Sequence, residues 1–248
     1  MIITFSSVNI YKKPNKKSEV TTQILYGEKF TIIKKNSKWI KIKTNYDKYI
    51  GYIENKGVIK NFKPSKKISV LKAQIYMLKN KKFIKIKNKY LPFSARLKIF
   101  QKKRKFLRFE KNRWISINEL ENLTDKKKFF KVLKLFLNCK YKWGGRNFDG
   151  IDCSALVQMF YHYNNKYFPR DTNKQIKFKK GFTTKKKFQK GDLIFWRGHV
   201  AVCLNNSKLI HAYGPKKKVL IMPIKQTINK IKITTKLKVK KIGNIKNF

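Results

Sequence analysis

Three cysteines and three histidines are the most reactive side chains of this 248-residue sequence, and all six lie beyond residue 138. Cys153 follows Gly150-Ile151-Asp152 directly and opens a stretch with helical spacing. A thiol at a helix N-terminus feels the positive end of the helix dipole, which favours the thiolate, and the thiolate is the nucleophile. Free cysteine is otherwise a small buried hydrophobe. That plainer reading suits Cys139, near the end of an apolar helix, and Cys203, inside Val200-Ala-Val-Cys-Leu204. His199 opens a strand after Arg197-Gly198, and His211 sits in another strand 12 residues on. If the two strands form a hairpin, the imidazoles become neighbours on one face. One can then pair with Cys153 while the other orients it, the general nucleophile, base and orienter arrangement. The competing reading is two unrelated histidines, one of them a satisfied core residue. His162, between Tyr161 and Tyr163, reads as structural. One Cys and two His also permit a zinc reading, but no second close Cys or carboxylate spacing supports it, so no metal is expected.

The elements that must hold these residues fall in the second half of the chain. Phe129, Val132, Leu133, Phe136 and Leu137 recur at helical spacing, with Thr124 or Asp125 placed to cap that helix. A glycine-bearing loop follows over 141–150. A second helix is expected at roughly 153–163, with Leu156, Val157, Phe160 and Tyr161 as its apolar face. Strands are read at 192–196, 199–204, 208–212 and 219–222. Helices followed by a strand meander make an α+β domain over 123–248, with a Lys-rich, ambiguous tail from about Ile224.

The first half reads as β structure. Short alternating or β-branched runs at 7–11, 29–33, 39–43 and 49–53 are separated by turn-prone groups such as Lys13-Pro14-Asn15 and Tyr26-Gly27-Glu28. Strands at this spacing fit a small barrel over 1–60. Asn61-Phe62-Lys63-Pro64-Ser65 reads as a linker. A second barrel is expected over 61–122, from candidate strands at 83–86, 96–100, 106–109 and 113–117. Asn112-Arg-Trp-Ile-Ser-Ile117 echoes the Lys38-Trp-Ile-Lys-Ile42 run of the first half.

Composition allows packed cores, with 42% hydrophobic and 14% aromatic residues. It excludes a collagen, a coiled coil and an acidic disordered chain. The net charge of +51 raises the possibility of a nucleic-acid binder. Against that, only seven of the 63 basic residues are Arg, the side chain suited to bidentate phosphate and guanine recognition. The Lys travels along the whole length with Ile, Asn, Phe and Tyr, which have AT-rich codons, so codon bias accounts for it and no specific nucleic acid is expected. The N-terminus shows no signal-peptide pattern, and no run approaches the ~18 apolar residues of a membrane span. With an odd cysteine count and no paired spacing, the expected compartment is the cytoplasm. The sequence is silent on oligomeric state.

Taken together, these residues resemble a family. Tyr141-Lys-Trp-Gly-Gly-Arg-Asn-Phe-Asp-Gly-Ile-Asp-Cys-Ser-Ala-Leu-Val-Gln158 is similar to the active-site signature of the NlpC-type cysteine peptidases, papain-like enzymes that cut bacterial cell-wall peptides. Phe168-Pro-Arg-Asp-Thr172 with Gln175, Lys190-Gly-Asp-Leu-Ile-Phe195, Gly198-His-Val-Ala-Val202 and Leu209-Ile-His-Ala212 resemble its later motifs, in order. One departure is Ala155, where the family usually has Gly. The resemblance covers roughly 125–222. It implies an α+β fold, a papain-like NlpC-type catalytic domain preceded by two small all-β SH3-like barrels. It also implies a cofactor-independent peptidase with Cys153 as nucleophile, His199 as general base and acid, and His211 orienting His199, the oxyanion being held by backbone N–H groups. Tyr141, Asp152 and Ser154 match a clamp on the free amino end of the murein peptide.

The first half resembles the bacterial SH3-like domains of the dipeptidyl-peptidase VI type, a γ-D-glutamyl-L-diamino-acid endopeptidase. The similarity is carried by Val20-Thr-Thr-Gln-Ile-Leu-Tyr-Gly-Glu28 and Tyr49-Ile-Gly-Tyr52, and by Leu91-Pro92-Phe93 before Arg96-Leu97 in the second barrel. In that subgroup the first barrel closes one end of the cleft, which makes Glu28 and Tyr49 candidate substrate contacts. A turn carboxylate and a barrel-core tyrosine are the plainer readings of these two. The resemblance implies hydrolysis of the γ-D-glutamyl-diamino acid bond in murein peptides with a free N-terminal L-Ala, in peptide recycling. Two alternatives stand beside it: an exported hydrolase of intact wall, and a basic non-catalytic module that binds anionic polymers.

Overall fold

Residues 1–60, 62–178 and 187–247 are described by the computed structural model. Asn61, the first residue of the expected linker, lies outside them. The chain forms two compact units, Met1–Lys126 and Lys127–Phe248.

The first unit is built from two sets of short strands. The first set is β1 (Ile2–Ile3), β2 (Ser7–Tyr11), β3 (Val20–Leu25), β4 (Phe30–Lys35), β5 (Trp39–Thr44), β6 (Ile50–Glu54) and β7 (Val58–Ile59). They give a five-stranded sheet in the order β3-β2-β6-β5-β4 and a β1-β7 pair. On β5, Ile40 and Ile42 are fully buried while Lys43 is exposed. This is the period-two pattern of a sheet with one wet face. The buried isoleucines meet Ile3, Ile10, Ile24, Phe30 and Ile53 in one core. Strand β3 escapes a hydrophobicity reading because Thr22 and Gln23 occupy its buried middle. Gln23 is accommodated by donating from Nε2 to Asn9 Oδ1 across the β2-β3 pair at 3.0 Å.

The second set is β8 (Lys66–Ile68), β9 (Lys72–Lys79), β10 (Lys82–Pro92), β11 (Arg96–Leu97), β12 (Gln101–Lys103), β13 (Phe106–Glu110), β14 (Arg113–Ser116) and β15 (Leu120–Asn122). It forms a five-stranded sheet, β10-β9-β14-β13-β12, and a three-stranded one, β11-β8-β15. The strand expected over 96–100 stops at Leu97, since β8 offers it only Lys66 and Lys67 as partners. Tyr26 from the first set packs into the core of the second, against Phe109 at a ring separation of 5.8 Å. That shared core makes the two sets one unit. The unit runs past Asn122 to Lys126 because the buried Lys67 ammonium donates to the Leu123 and Asp125 carbonyls.

The second unit contains α1 (Phe129–Leu135), β16 (Arg146–Asn147), β17 (Gly150–Ile151), α2 (Cys153–Tyr163), α3 (Thr172–Gln175), β18 (Asp192–Trp196), β19 (His199–Cys203), β20 (Lys208–Tyr213), β21 (Lys218–Pro223), α4 (Ile224–Thr235) and β22 (Lys241–Asn244). Its antiparallel sheet runs β21-β20-β19-β18-β22, and α2 packs on β19 and β20. Neither Thr124 nor Asp125 caps α1: its N-cap is Lys128 with no side-chain cap, and Asp125 instead accepts the Asn122 N–H. The Lys-rich tail is ordered. Ile224, Ile228 and Ile231 place one face of α4 in the core with Trp196 and Tyr213, and β22 pairs with the outer edge of β18. No helix among the described residues is long and apolar enough to cross a membrane.

Candidate active site

The loop before Cys153 is shaped by glycine. Gly144 has φ +71°, and a Cβ on Gly145 would stand 2.3 Å from the Gly150 carbonyl oxygen. Only glycine meets both demands without strain. The resulting turn delivers the Gly144 N–H to Asp152 Oδ2 at 3.0 Å. Asp152 is the N-cap of α2 and accepts the Ala155 N–H at 2.8 Å. Capping of this kind fixes where a helix starts, and here it fixes Cys153 as the first helical residue.

Asp152 is buried and receives three further hydrogen bonds. Ser154 Oγ donates to Oδ1 at 3.0 Å, Arg170 Nη1 donates to Oδ1 at 3.0 Å, and Arg170 Nη2 donates to Oδ2 at 2.5 Å. Arg170 Nη1 also donates to Ser154 Oγ at 2.8 Å. Gln175, wholly buried, bridges the Ser154 and Pro169 carbonyls through its Nε2 at 3.0 and 2.8 Å. The Arg170–Asp152 contact is a bidentate, charge-assisted pair in low dielectric. It locks the motif 168–172 onto the start of α2.

The Cys153 side chain lies against the main chain on either side of His199. Its Sγ is 3.9 Å from the Gly198 carbonyl oxygen, and the Val200 N–H is directed at it. His199 Nε2 is 2.9 Å from His211 Nδ1, so the hairpin of β19 and β20 does bring the two imidazoles together. Tyr213 stacks on His211 at a ring separation of 4.7 Å and an interplanar angle of 11°. Trp196 flanks His199 at 5.5 Å. Tyr141 is half-buried, with its ring over Gly214 and its hydroxyl within the field of Cys153 and Asp152, and burial pushes that phenol well above its usual range.

Burial works against the thiolate expected at the head of a helix. Burial and then the Asp152 carboxylate raise the Cys153 thiol to about 12. Arg170 and the Val200 and Ser154 N–H groups act the other way but do not offset this. Desolvation lowers His199 to about 4, and desolvation followed by the charge of His199 lowers His211 to about 3. Burial thus favours the neutral form of the thiol and of both imidazoles.

A stability effect follows from the same shifts. An unfolded chain protonates both histidines near pH 6.5, whereas the folded one holds them neutral down to about 4 and 3. In that window the unfolded state binds more protons, so folding stability falls as pH drops from 6.5 towards 4. Urea midpoints at pH 7 and pH 5 are expected to show the loss, and the double variant His199→Phe/His211→Phe to flatten it. Equal slopes in the two proteins would contradict the assignment.

Glu28 and Tyr49 belong to the first unit. Glu28 is buried in the turn after β3 and accepts the Leu25 N–H at 2.9 Å. Tyr49 is half-buried before β6, its N–H donating to Thr44 Oγ1 at 2.8 Å. Cys139 and Cys203 are buried, and burial followed by the charge of Asp149 raises Cys139 to about 11. Among the described residues no group of three or more His, Cys, Asp or Glu is placed to hold a metal ion.

Residue-by-residue reading gave no role to Arg170, Gln175, Trp196, Tyr213 or Met222. For Arg170 a signal existed: it is one of only seven arginines in a lysine-dominated chain, and it stands inside a recognisable motif. Gln175 is marked by the same motif, while Trp196, Tyr213 and Met222 carry no mark before the sheet is folded.

A cysteine at the head of a helix, packed against strands that carry a histidine pair, defines a papain-like cysteine peptidase. Comparison with known proteins narrows the class: the chain carries an NlpC/P60 family domain, matched over residues 138–237, and a bacterial SH3 domain, matched over residues 6–59. It is 25% identical over 247 residues to the Dipeptidyl-peptidase 6 of Lysinibacillus sphaericus, covering 85% of this chain and 86% of that one. It is 33% identical over 100 residues to the Gamma-D-glutamyl-L-lysine dipeptidyl-peptidase of Bacillus cereus, covering 37% of this chain and 29% of that one. The crystal structure of an NlpC/P60 family protein from Bacillus cereus superposes with a TM-score of 0.74 at 20% identity, over 90% of this chain and 93% of the other.

Proposed function

We propose that this cysteine peptidase hydrolyses the γ-D-glutamyl-diamino acid bond of murein peptides that carry a free N-terminal L-Ala, releasing L-Ala-γ-D-Glu. The observation that carries the reading is the similarity to a dipeptidyl-peptidase along most of both chains, strand-rich half included. The catalytic residues are proposed to be Cys153, His199 and His211. Nε2 of His199 is occupied by His211. That leaves Nδ1 as the ring nitrogen to take the proton. As Sγ attacks the scissile carbonyl carbon, its proton passes to His199 Nδ1, which avoids a free thiolate in a site that disfavours one. The oxyanion meets backbone N–H groups at the head of α2, among them that of Cys153. Collapse breaks the C–N bond, and His199 returns the proton to the leaving amine. Water then attacks the thioester carbon, giving a proton to His199 Nδ1; collapse breaks the C–S bond, His199 returns that proton to Sγ, and the product leaves as a carboxylic acid that ionises in water.

The ammonium group of the substrate is assigned to Tyr141, Asp152 and Ser154. Five donors already converge on Asp152, against roughly four lone-pair sites on a carboxylate. It therefore contributes its negative field, and the Tyr141 hydroxyl makes the direct contact. All three cysteines are reduced and buried, which suits a reducing compartment, and recycling of released peptides in the cytoplasm is the proposed setting.

Product analysis with L-Ala-γ-D-Glu-meso-diaminopimelate tests the reading. The dipeptide L-Ala-γ-D-Glu is expected, with at least about tenfold slower cleavage of the N-acetylated peptide, because a hydrogen bond from the charged ammonium to the Tyr141 hydroxyl contributes about 1.5–3 kcal/mol. Unchanged free peptide would refute the specificity, and equal rates on both would refute the amine clamp.

A further inference from the structure

His211 is fully buried, and its two ring nitrogens face different atoms. Nδ1 lies 2.9 Å from His199 Nε2, and Nε2 lies 3.3 Å from the thioether Sδ of Met222. Met222 is on β21, opposite Leu209 in register and therefore diagonal to His211. It is half-buried against the core that includes Trp196 and Ile224, while Tyr213 holds the plane of the His211 ring from one side.

A thioether has no proton to give and can only accept. A neutral imidazole carries one N–H and one lone pair. If His211 holds its proton on Nε2, that N–H points at the sulfur and Nδ1 is an acceptor. The hydrogen between the rings then belongs to His199 Nε2, and neutral His199 keeps its lone pair on Nδ1, the nitrogen proposed above to take the proton of Cys153. In the opposite order His211 donates from Nδ1. His199 then carries its proton on Nδ1 and has no lone pair to take the proton of Cys153. His211 Nε2 and Met222 Sδ would also meet as two acceptors in a dry site, an arrangement that costs free energy.

We propose that Met222 is a positioning residue: its sulfur selects the Nε2–H tautomer of His211, and through it the tautomer of His199 that can act as base. The consequence for catalysis rests on the proposed roles of Cys153 and His199, but the tautomer assignment does not. Met222 never touches the substrate. It removes the half of the resting population in which the pair is wired the wrong way, as well as the cost of an unpaired N–H.

The chain has three histidines, so 15N-histidine labelling of the full-length protein gives few signals, and a His162→Gln variant separates the third. Two-bond 1H–15N spectra at pH 7 are expected to show Nε2–H on both His199 and His211. In Met222→Leu, which keeps the volume but removes the acceptor, His211 is expected to populate both tautomers. On L-Ala-γ-D-Glu-meso-diaminopimelate, kcat is expected to drop about twofold with KM unchanged, because roughly half of the resting population then lacks the competent tautomer. Met222→Gln, whose amide oxygen can accept, is expected to recover most of kcat even though it suits the apolar core less well. A purely packing role would rank these variants the other way, with Leu neutral and Gln damaging. Nδ1–H on His211 in the unmodified protein, or an unchanged tautomer and kcat in Met222→Leu, would overturn the proposal. The spectra need no substrate, so they decide it even if the peptide is not cleaved.

Discussion

Replacement of Cys153 by alanine is expected to lower peptidase activity on L-Ala-γ-D-Glu-meso-diaminopimelate by about 10⁴-fold or more, with little change in thermal midpoint. The side chain is small and buried at the head of α2, so the packing loss is about 1 kcal/mol. The chemical loss is far larger, because the nucleophile itself is removed. Cys139 should tolerate alanine without loss of turnover. Cys153→Ser keeps the shape, but its hydroxyl is a weaker nucleophile than a thiol, and it is expected to be nearly as inactive. His199→Ala should match Cys153→Ala, since groups that act as a unit fail together. His211→Ala should cost less, because the base remains and only its orientation and tautomer are lost. Product formation measured by mass spectrometry over a long incubation sets the ratios. A Cys153→Ala protein that still releases dipeptide at a tenth of the original rate would end the nucleophile assignment.

The largest stability effect is expected from Arg170. In the ion pair only 2% of the Arg170 side chain and 7% of the Asp152 side chain are exposed, and the two meet through two parallel N–H to O bonds. Arg170→Met keeps the length and removes the charge, so the Asp152 carboxylate is left buried with N–H and O–H donors but no cation. Removing one partner of a buried pair costs about 3–5 kcal/mol, a large part of the roughly 5–15 kcal/mol that holds a domain together. Urea unfolding of the whole chain measures it. The double variant Asp152→Asn/Arg170→Met removes both charges and should be more stable than Arg170→Met alone, the sign of a coupled pair. Activity should fall in both, because the capping carboxylate that places Cys153 is disturbed. If Arg170→Met unfolds at the original urea concentration, the pair does not stabilise the domain.

Met222 and Arg170 illustrate two degrees of concealment in a sequence. Arg170 stands in a motif and belongs to a scarce residue type, so its presence is conspicuous while its partner, 18 residues earlier, is not. Met222 is one apolar residue in a run of apolar residues, Val219-Leu-Ile-Met222. Its meaning depends on which strand pairs with which, and on a diagonal contact that exists only once β20 and β21 are in register.

What the sequence determined alone was local. Alternation placed most strands, helical spacing and Asp-Cys-Ser placed α2 at Cys153–Tyr163, and residue type with spacing singled out Cys153, His199 and His211. These are effects of neighbours a few residues apart, and periodicity records them. The tertiary structure decided the rest. It buried Cys153 beside Asp152, which raises the thiol against the pull of the helix end. It tied 123–126 to the first unit through Lys67, and it carried the tail back as β22, where Asn244 Nδ2 donates to Asp192 Oδ1 at 2.8 Å. Burial, charge pairing and edge-strand closure depend on groups 18, 52 or 58 positions apart in the chain. Their energies arise only after the intervening segments have folded, so no local pattern in the sequence encodes them.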